Sequence, residues 1–416
     1  MINMVQTYKI PWGAWHRPEK RKFEFPDQWD ISYFEMKGAP EITDIQKIED
    51  RIDDAIGVSK IETIAEDKKD ATIIVDDISR PTKAEKIVSI LLDKLNDSGI
   101  QDEDITIITA IGAHRPMYRD DLIKKIGLEN INRVNVENHH PYENLEFIGE
   151  SRLGTPIYIN RTYYQADLKI AIGSVIPHPL AGFGGGAKMI LPGISGIKTL
   201  EANHSAGLRG IGIGIGRVTE LRKDIEDVCK KVGLDFSINI VNTMNRGIAG
   251  IFSGHFIEAH RKAIQFAKEV YLTEIPRKSK FDIAFLNLHP EDSELSQSVK
   301  GFNIILSTRG LLHRKSGVIF LTASPEGRGY HSLLGEKGSK LYKNWGNHII
   351  WKAAINKRKF GIFSPNLTKY DVNHFFPKTT IFHRNFDEMI KTLEEIYGDS
   401  PRAVLFPSSI QLTAEI

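Results

Sequence analysis

The sequence predicts an α/β fold, two α/β domains with a cleft between them, and three observations carry that expectation. A chain of 416 residues exceeds the roughly 250 to 300 residues at which a single core stops growing. Short apolar runs that read as buried strands alternate with segments of helical periodicity, the pattern of parallel βαβ units. The segment Glu274 to Lys280, EIPRKSK, is polar, contains a proline and separates two apolar-periodic regions, which makes it the linker. The predicted domains are therefore residues 1–275 and 276–416, and the last strand has the option of returning to the first.

In chain order, residues Met1 to Pro40 mix aromatics, prolines and charges without a clean period and read as irregular edge structure. Ile42 to Ile56 has helical spacing, and Ala71 to Val75 is a buried strand ended by Asp76 and Asp77. The segment DDISRPT leads into a helix, Lys83 to Leu95, closed by Asn96 and Gly99. A second unit repeats this plan: strand Ile105 to Ile111, loop GAHRP, helix Tyr118 to Ile126. Asp77, Arg80, His114 and Arg115 thus fall on loops after strands, where α/β sheets bind ligands. The strand Leu168 to Ile172 precedes the glycine-rich centre of the chain, and GLDFSINIVN and GHFIEAHRKAIQFA then read as a strand and an amphipathic helix. His139, His140, His260 and Arg261 read as structural. Beyond the linker, Phe281 to Leu286, Val318 to Thr322 and Ala403 to Phe406 are strands, and Ser293 to Gly310 and Lys340 to Ile355 are helices.

Composition narrows the function. The formal net charge is +2 from 55 basic and 53 acidic residues, which points to no nucleic-acid or membrane partner. A single cysteine, Cys229, permits neither an intramolecular disulfide nor a thiolate-rich metal cluster and fits a reducing cytoplasm. No segment approaches the roughly 20 apolar residues that span a bilayer.

The run from Gly173 to His204, GSVIPHPLAGFGGGAKMILPGISGIKTLEANH, concentrates the unusual chemistry. Gly182, Gly184, Gly185 and Gly186 allow positive φ and close approach to a ligand, and Lys188 follows at once on what Pro192 and Gly193 limit to a brief turn. A P-loop would place Ser or Thr directly after its lysine; Met189 stands there. Gly182, Gly184 and Ala187 spell the dinucleotide fingerprint, with Glu201 at a tempting distance, but that fingerprint sits on a strand end and opens a full helix. A flexible loop with an incidental lysine is the bland reading. The alternating glycines of GLRGIGIGIGR, Gly207 to Gly216, read as a loose connection more than as a phosphate cradle.

The order His178, GFGGGAK, LPG, then NH ending at His204, resembles the nickel-pincer lactate racemase family, over a stretch from about Asp77 to Lys300. The chain departs from the family at Gly184, where Ser is usual, at Ser296, where Tyr is frequent, and in the GLRGIGIGIGR run. The resemblance implies a cofactor, the nickel(II) complex of pyridinium-3,5-bisthiocarboxylic acid mononucleotide, held covalently by Lys188 with His204 ligating nickel. It implies His114, in a GxHRP context, and His178 as catalytic residues that alternately accept the hydroxyl proton, an exchange that an imidazole pKa near 6.5 suits. Asp77, Ile78, Ser79 and Arg80 would contact the cofactor, Arg80 and Lys300 the substrate carboxylate, and Gln297 a substrate oxygen. Gln297 and Lys300 are three residues apart, on one helix face.

The implied activity is racemisation or epimerisation of a 2-hydroxy acid by reversible hydride transfer. The C–H beside a carboxylate is too weakly acidic for a side chain near neutral pKa, and a cofactor that accepts hydride removes that difficulty. Ser296 beside Gln297 leaves room and polarity, so the expected substrate is larger or more polar than lactate, aldonic or dicarboxylic, unless Trp345 or Trp351 refills the space. The site is expected between the domains. A nicotinamide-dependent 2-hydroxyacid dehydrogenase and a non-catalytic metal- or nucleotide-binding protein stay open as alternatives.

Overall fold

The computed structural model describes residues 5–17, 19–206, 215–308, 310–333, 346 and 349–416. It divides into one unit of Ala39–Val270 and another of Met1–Gly38 with Tyr271–Ile416. The division differs from the expected 1–275 and 276–416 at both ends. Leu272–Ile275, which runs into the expected linker, is a strand paired in parallel with Leu412–Glu415. The strand Arg402–Phe406 stays in the sheet of the second unit.

The unit 39–270 is built on a six-stranded sheet whose order from edge to edge is Ile248–Gly254, Phe236–Asn242, Leu168–Ser174, Ala71–Asp76, Ile105–Ala110 and Asn135–Asn138. Only the first two are antiparallel. The central strand, ATIIVD, is buried along its whole length, as a strand covered on both faces must be. The helix Glu85–Asp97 turns Ile87, Val88, Leu91 and Leu95 into the same core as Ile73, Ile107 and Ile170. Successive strands leave Ala71–Asp76 first to one side and then, from Leu168 onward, to the other. The reversal puts a crevice between the carboxyl ends of Ala71–Asp76 and Leu168–Ser174, where doubly wound sheets bind ligands.

In the other unit a fully parallel sheet runs Ile381–His383, Lys359–Phe363, Leu312–Leu321, Phe281–Asn287, Arg402–Phe406 and Asp30–Tyr33. Its own reversal lies between Phe281–Asn287 and Arg402–Phe406. Residues 1–40 are more regular than expected. Val5–Trp12 and Glu19–Pro26 form an antiparallel hairpin, and Asp30–Tyr33 is the edge strand. Phe23 and Phe25 alternate with charged residues and pack on Phe386 and Phe285, with ring centroids 4.8 and 5.1 Å apart. The segment expected as one helix from Ser293 to Gly310 is a 3₁₀ helix, Leu295–Phe302, followed by a short α-helix, Asn303–Ser307. Residues at i and i+3 eclipse on a 3₁₀ helix, so Gln297 and Lys300 still share a face. Of the expected helix at 340–355, Ile349–Ala354 is helical and residues 340–345 and 347–348 lie outside the described residues.

His139, read as structural from the sequence, is fully buried. Its Nε2 donates to the Ser195 carbonyl at 3.0 Å. Burial, with the charge of His140 adding and the Ser195 bond opposing, lowers its pKa to about 4. An unfolded histidine titrates near 6.5, so between these values the unfolded chain binds the extra proton and stability falls with falling pH. The full span corresponds to about 3 kcal/mol. Urea midpoints measured from pH 7 to pH 4 should therefore fall more steeply for the wild type than for His139→Gln.

Candidate functional site

Asp76, at the end of the central strand, organises the first wall of the crevice. It accepts from the hydroxyl of Thr82 and from the Ser174 N–H at 3.2 Å, which ties the two strands at the reversal together. Lys125, fully buried, bonds Asp76 at 2.8 Å and donates to the carbonyls of Arg80 and Thr82 at 2.9 and 3.2 Å. The loop that carries Asp77, Ile78, Ser79 and Arg80 is thereby fixed from beneath. None of Asp76, Thr82, Ser174 and Lys125 stands out in the sequence as a supporting group.

Asp77 is buried at 4% exposure. Its Oδ1 accepts the Ser79 N–H at 2.7 Å, and its Oδ2 lies 2.8 Å from Nδ1 of His114. Burial pushes the carboxyl pKa up, but His114, Arg80 and Ser79 outweigh it and hold Asp77 well below the usual carboxylate range. His114 comes from the loop after Ile105–Ala110. Gly112, at φ +54°, donates to the Gly193 carbonyl at 2.9 Å, and an added Cβ there would meet the Pro192 carbonyl oxygen at 3.3 Å. The His114 loop is thus joined to the chain that follows Lys188.

Lys188 lies on a single 3₁₀ turn, Gly186–Met189, as expected for a segment closed by Pro192 and Gly193. The glycine loop before it is anchored from inside. Arg222 donates to the carbonyls of Gly184 and Gly185 at 3.2 and 3.1 Å, and His260 bonds the Gly184 carbonyl at 2.7 Å. Asn239 accepts the Gly186 N–H at 2.9 Å. A Cβ at Gly184 would stand 2.8 Å from the Ser174 carbonyl oxygen, so a serine here would require a shift of the backbone. Gly182 belongs to a short hairpin in which Pro177–His178 pairs with Gly182–Phe183, not to a strand that runs into a long helix as the dinucleotide fingerprint demands. Residues 207–214 of the glycine-alternating run lie outside the described residues.

His204 occupies the last turn of the helix Ile197–Ala206, and its Nδ1 lies 2.8 Å from the Leu200 carbonyl. Because that carbonyl can only accept, Nδ1 carries the hydrogen and Nε2 keeps its lone pair. Burial lowers the pKa most; the Leu200 bond opposes it, and the charges of Lys188 and His114 lower it further, to about 4. His204 is thus neutral at pH 7. Asp77, Ser79, Arg80, His114, Lys188 and His204 share one electrostatic neighbourhood. Among the described residues no group of three or more His, Cys, Asp or Glu side chains is placed to hold a metal ion.

His178 stands on the hairpin beyond Leu168–Ser174. Its Nδ1 accepts the N–H groups of Leu180 and Ala181 at 3.2 and 3.1 Å.

Gln297 and Lys300 belong to the other unit, after the strand Phe281–Asn287 at that sheet's reversal. Both are buried, at 5% and 6% exposure. Lys300 is in an ion pair with Glu291, itself buried. Glu294 accepts from the Ser296 hydroxyl and from the Gln297 amide at 3.3 Å. Trp351 packs among Phe302, Phe360 and Phe376 in the core of this unit, and Trp345 lies outside the described residues.

Fold and site together define an α/β enzyme with lysine and histidine side chains gathered at the reversal of a doubly wound sheet. Residues 17–212 match the family model of the lactate racemase N-terminal domain. The lactate racemase of Lactiplantibacillus plantarum is 32% identical over 70% of this chain and 70% of its own. That of Thermoanaerobacterium thermosaccharolyticum is 25% identical over 98% of this chain and 99% of its own. The solved lactate racemase apoprotein from T. thermosaccharolyticum superposes with a TM-score of 0.78 at 23% identity, over 99% of this chain and all of that one. A Thermotoga maritima protein superposes at 0.66 and 18% identity, over 91% of this chain and all of that one. The chain belongs to the lactate racemase family and is an isomerase. No helix among the described residues is long and apolar enough to cross a membrane.

Proposed function

We propose that the protein is a cytoplasmic racemase or epimerase of a 2-hydroxy acid that uses the nickel-bound pyridinium-3,5-bisthiocarboxylic acid mononucleotide attached through Lys188. The observation that supports this best is His204. Its Nδ1 is engaged by Leu200, its Nε2 keeps a lone pair and it is neutral at pH 7, as a metal-ligating imidazole must be. These residues suit a metal that brings further donors of its own, and Lys188 supplies an amine for covalent attachment. When bound, the group supplies an acceptor for the hydride that the substrate C–H gives up.

The chain supplies the rest. Arg80, on the loop held by Lys125, offers a fork of donors for the substrate carboxylate. His114 and His178 meet the hydroxyl. Gln297 and Lys300 hold further substrate oxygens. Lys300 comes with the Glu291 carboxylate attached, so it acts as a hydrogen-bond donor of a neutral pair, and Arg80 takes the larger share of the C1 charge.

Ser296, Glu291 and Glu294 set the substrate's tail. A methyl group gains nothing beside a buried serine and the Glu294 carboxylate, and a second carboxylate is repelled by Glu294, whereas the Glu291 charge is offset by Lys300. Chains of hydroxyls donate to such groups. Of the two larger classes expected from the sequence, the aldonic one is therefore favoured over the dicarboxylic one. With protein loaded with the nickel-pincer nucleotide, kcat/KM for gluconate should exceed that for lactate and for malate by tenfold or more, since a single hydrogen bond from a substrate hydroxyl to a charged group is worth about 1.5–3 kcal/mol. Preference for lactate over both would overturn the substrate class, and turnover of none with NAD-dependent oxidation instead would overturn the racemase reading.

A further inference from the structure

The N-terminal hairpin belongs to the C-terminal unit, yet none of the roles assigned above uses it. Its strands cover one face of the parallel sheet: Ile10, Trp12, Phe23 and Phe25 share a core with Phe285, Phe363 and Leu405. That cover ends at Trp12. The turn that follows lies at the carboxyl edge of the sheet, where side chains of that edge hold it. Asn287, the last residue of Phe281–Asn287, donates to the carbonyl of Pro11 at 2.7 Å and to that of Pro407 at 2.8 Å. Pro407 follows Arg402–Phe406, so the hairpin is pinned across the reversal of this sheet, the place where α/β sheets bind ligands.

A second bond joins the turn to the segment assigned to substrate. Asp292 accepts the Gly13 N–H at 2.9 Å across 279 residues of sequence. It stands between Glu291, paired with Lys300, and Glu294, which accepts from Ser296 and Gln297. Two residues suffice to close a hairpin when nothing else is asked of the connection; here residues 13–18 intervene. They bring an aromatic pair to the edge. Trp15 is 4% exposed, and His16, partly exposed, meets it edge-on, with ring centroids 5.7 Å apart and planes at 90°.

We propose that the turn Gly13 to Arg17 is a wall of the substrate pocket in this unit, and that Trp15 and His16 select a polyhydroxylated tail. The proposal rests on the racemase reading and deepens its substrate class. A polyol chain has two kinds of surface. Its C–H groups gain from an aromatic face, and each hydroxyl that leaves water needs a donor or an acceptor. Ser296 and Glu294 supply polar partners; the turn supplies the indole and an imidazole, which both donates and accepts as a hydroxyl does. Lactate has no hydroxyl beyond C2 for His16 to meet.

Histidine-selective nitrogen-15 spectra of the full-length protein loaded with the nickel-pincer nucleotide, with the His16 signals assigned by His16→Gln, read the contact directly. Gluconate should shift the His16 ring signals, and lactate should leave them in place. His16→Ala should lower kcat/KM for gluconate about tenfold, mostly through KM, since a hydrogen bond is lost, with kcat/KM for lactate within twofold. Trp15→Leu should act in the same direction; where it fails to fold, the variants of the partly exposed His16 carry the test. His16→Gln keeps a donor and an acceptor and should recover part of the gluconate loss. Equal losses for gluconate and lactate would make the turn a structural support only and overturn the proposal, as would gluconate turnover with unmoved His16 signals. Lactate turnover without gluconate binding would overturn it together with the substrate class and leave the racemase reading standing. Gluconate-shifted His16 signals in a protein that turns over no 2-hydroxy acid would uphold the pocket and sink the racemase reading.

Discussion

Replacing Lys125 with methionine should destabilise the unit 39–270 by about 3–5 kcal/mol, the usual cost of breaking a buried ion pair from one side. The ammonium is fully buried against Asp76 and also caps the carbonyls of Arg80 and Thr82. Methionine fills much of the volume but leaves Asp76 charged at 6% exposure, with only hydroxyl and N–H donors around it, and leaves two carbonyls short of a donor. Urea denaturation gives the loss. The double variant Asp76→Asn, Lys125→Met should lose less than the sum of the single changes, because no uncompensated charge remains in it. Losses that simply add would mean that Lys125 stabilises through packing alone. The Arg80 loop hangs from this pair, so the single variant should also bind substrate carboxylate more weakly at temperatures where it is still folded.

Lys125 marks where the sequence ceases to be legible. Lys124 and Lys125 stand side by side on a short amphipathic helix, and either could be the solvated one; only the path of the chain places Asp76 beneath the second. Arg222 is similar. It lies in ELRKDIEDVCKKV among charges that read as a surface face, yet it is 1% exposed under the glycine loop. Long-range partners of this kind leave no periodic trace. Strands such as Ala71–Asp76 and Ile105–Ala110 are legible because burial on both faces demands continuous apolar runs. The positions of Asp77, Arg80 and His114 follow from the strands, since a loop after a parallel strand opens at the carboxyl edge. The hairpin at Val5–Pro26 escapes a sequence reading for a local reason: Pro11, Pro18 and Pro26 interrupt its pattern, although Phe23 and Phe25 do alternate with charges. A polar stretch with a proline, the usual sign of a linker, also describes the short strand Leu272–Ile275 and its turn, and the division of the structure falls just before that strand, between Val270 and Tyr271. The linkage of residues 1–38 to the C-terminal unit is a sheet pairing 372 residues long, Asp30 with Arg402, and no local sequence signal reports such a pairing.

In Lys188→Ala the covalent cofactor adduct should vanish completely, and with it all activity above that of the apoprotein. Lys188 is presented by one 3₁₀ turn whose approach is fixed by Arg222, His260 and Asn239 on one side and by the Gly193 N–H, bonded to the Lys188 carbonyl at 3.2 Å, on the other. A turn so held fixes the point from which the side chain starts, which favours reaction at a single amine. Lys188→Arg should fail as completely, because a guanidinium stays protonated and offers no nucleophilic nitrogen. His204→Ala separates attachment from metal binding: it should retain the organic adduct by intact mass and lose nickel by elemental analysis, since its Nε2 is assigned to the metal and not to the link. Mass spectra of the three loaded variants therefore have distinct expected outcomes. An adduct that persists in Lys188→Ala would move the attachment to another residue, and nickel retained at full stoichiometry in His204→Ala would show that the metal takes its protein ligand elsewhere.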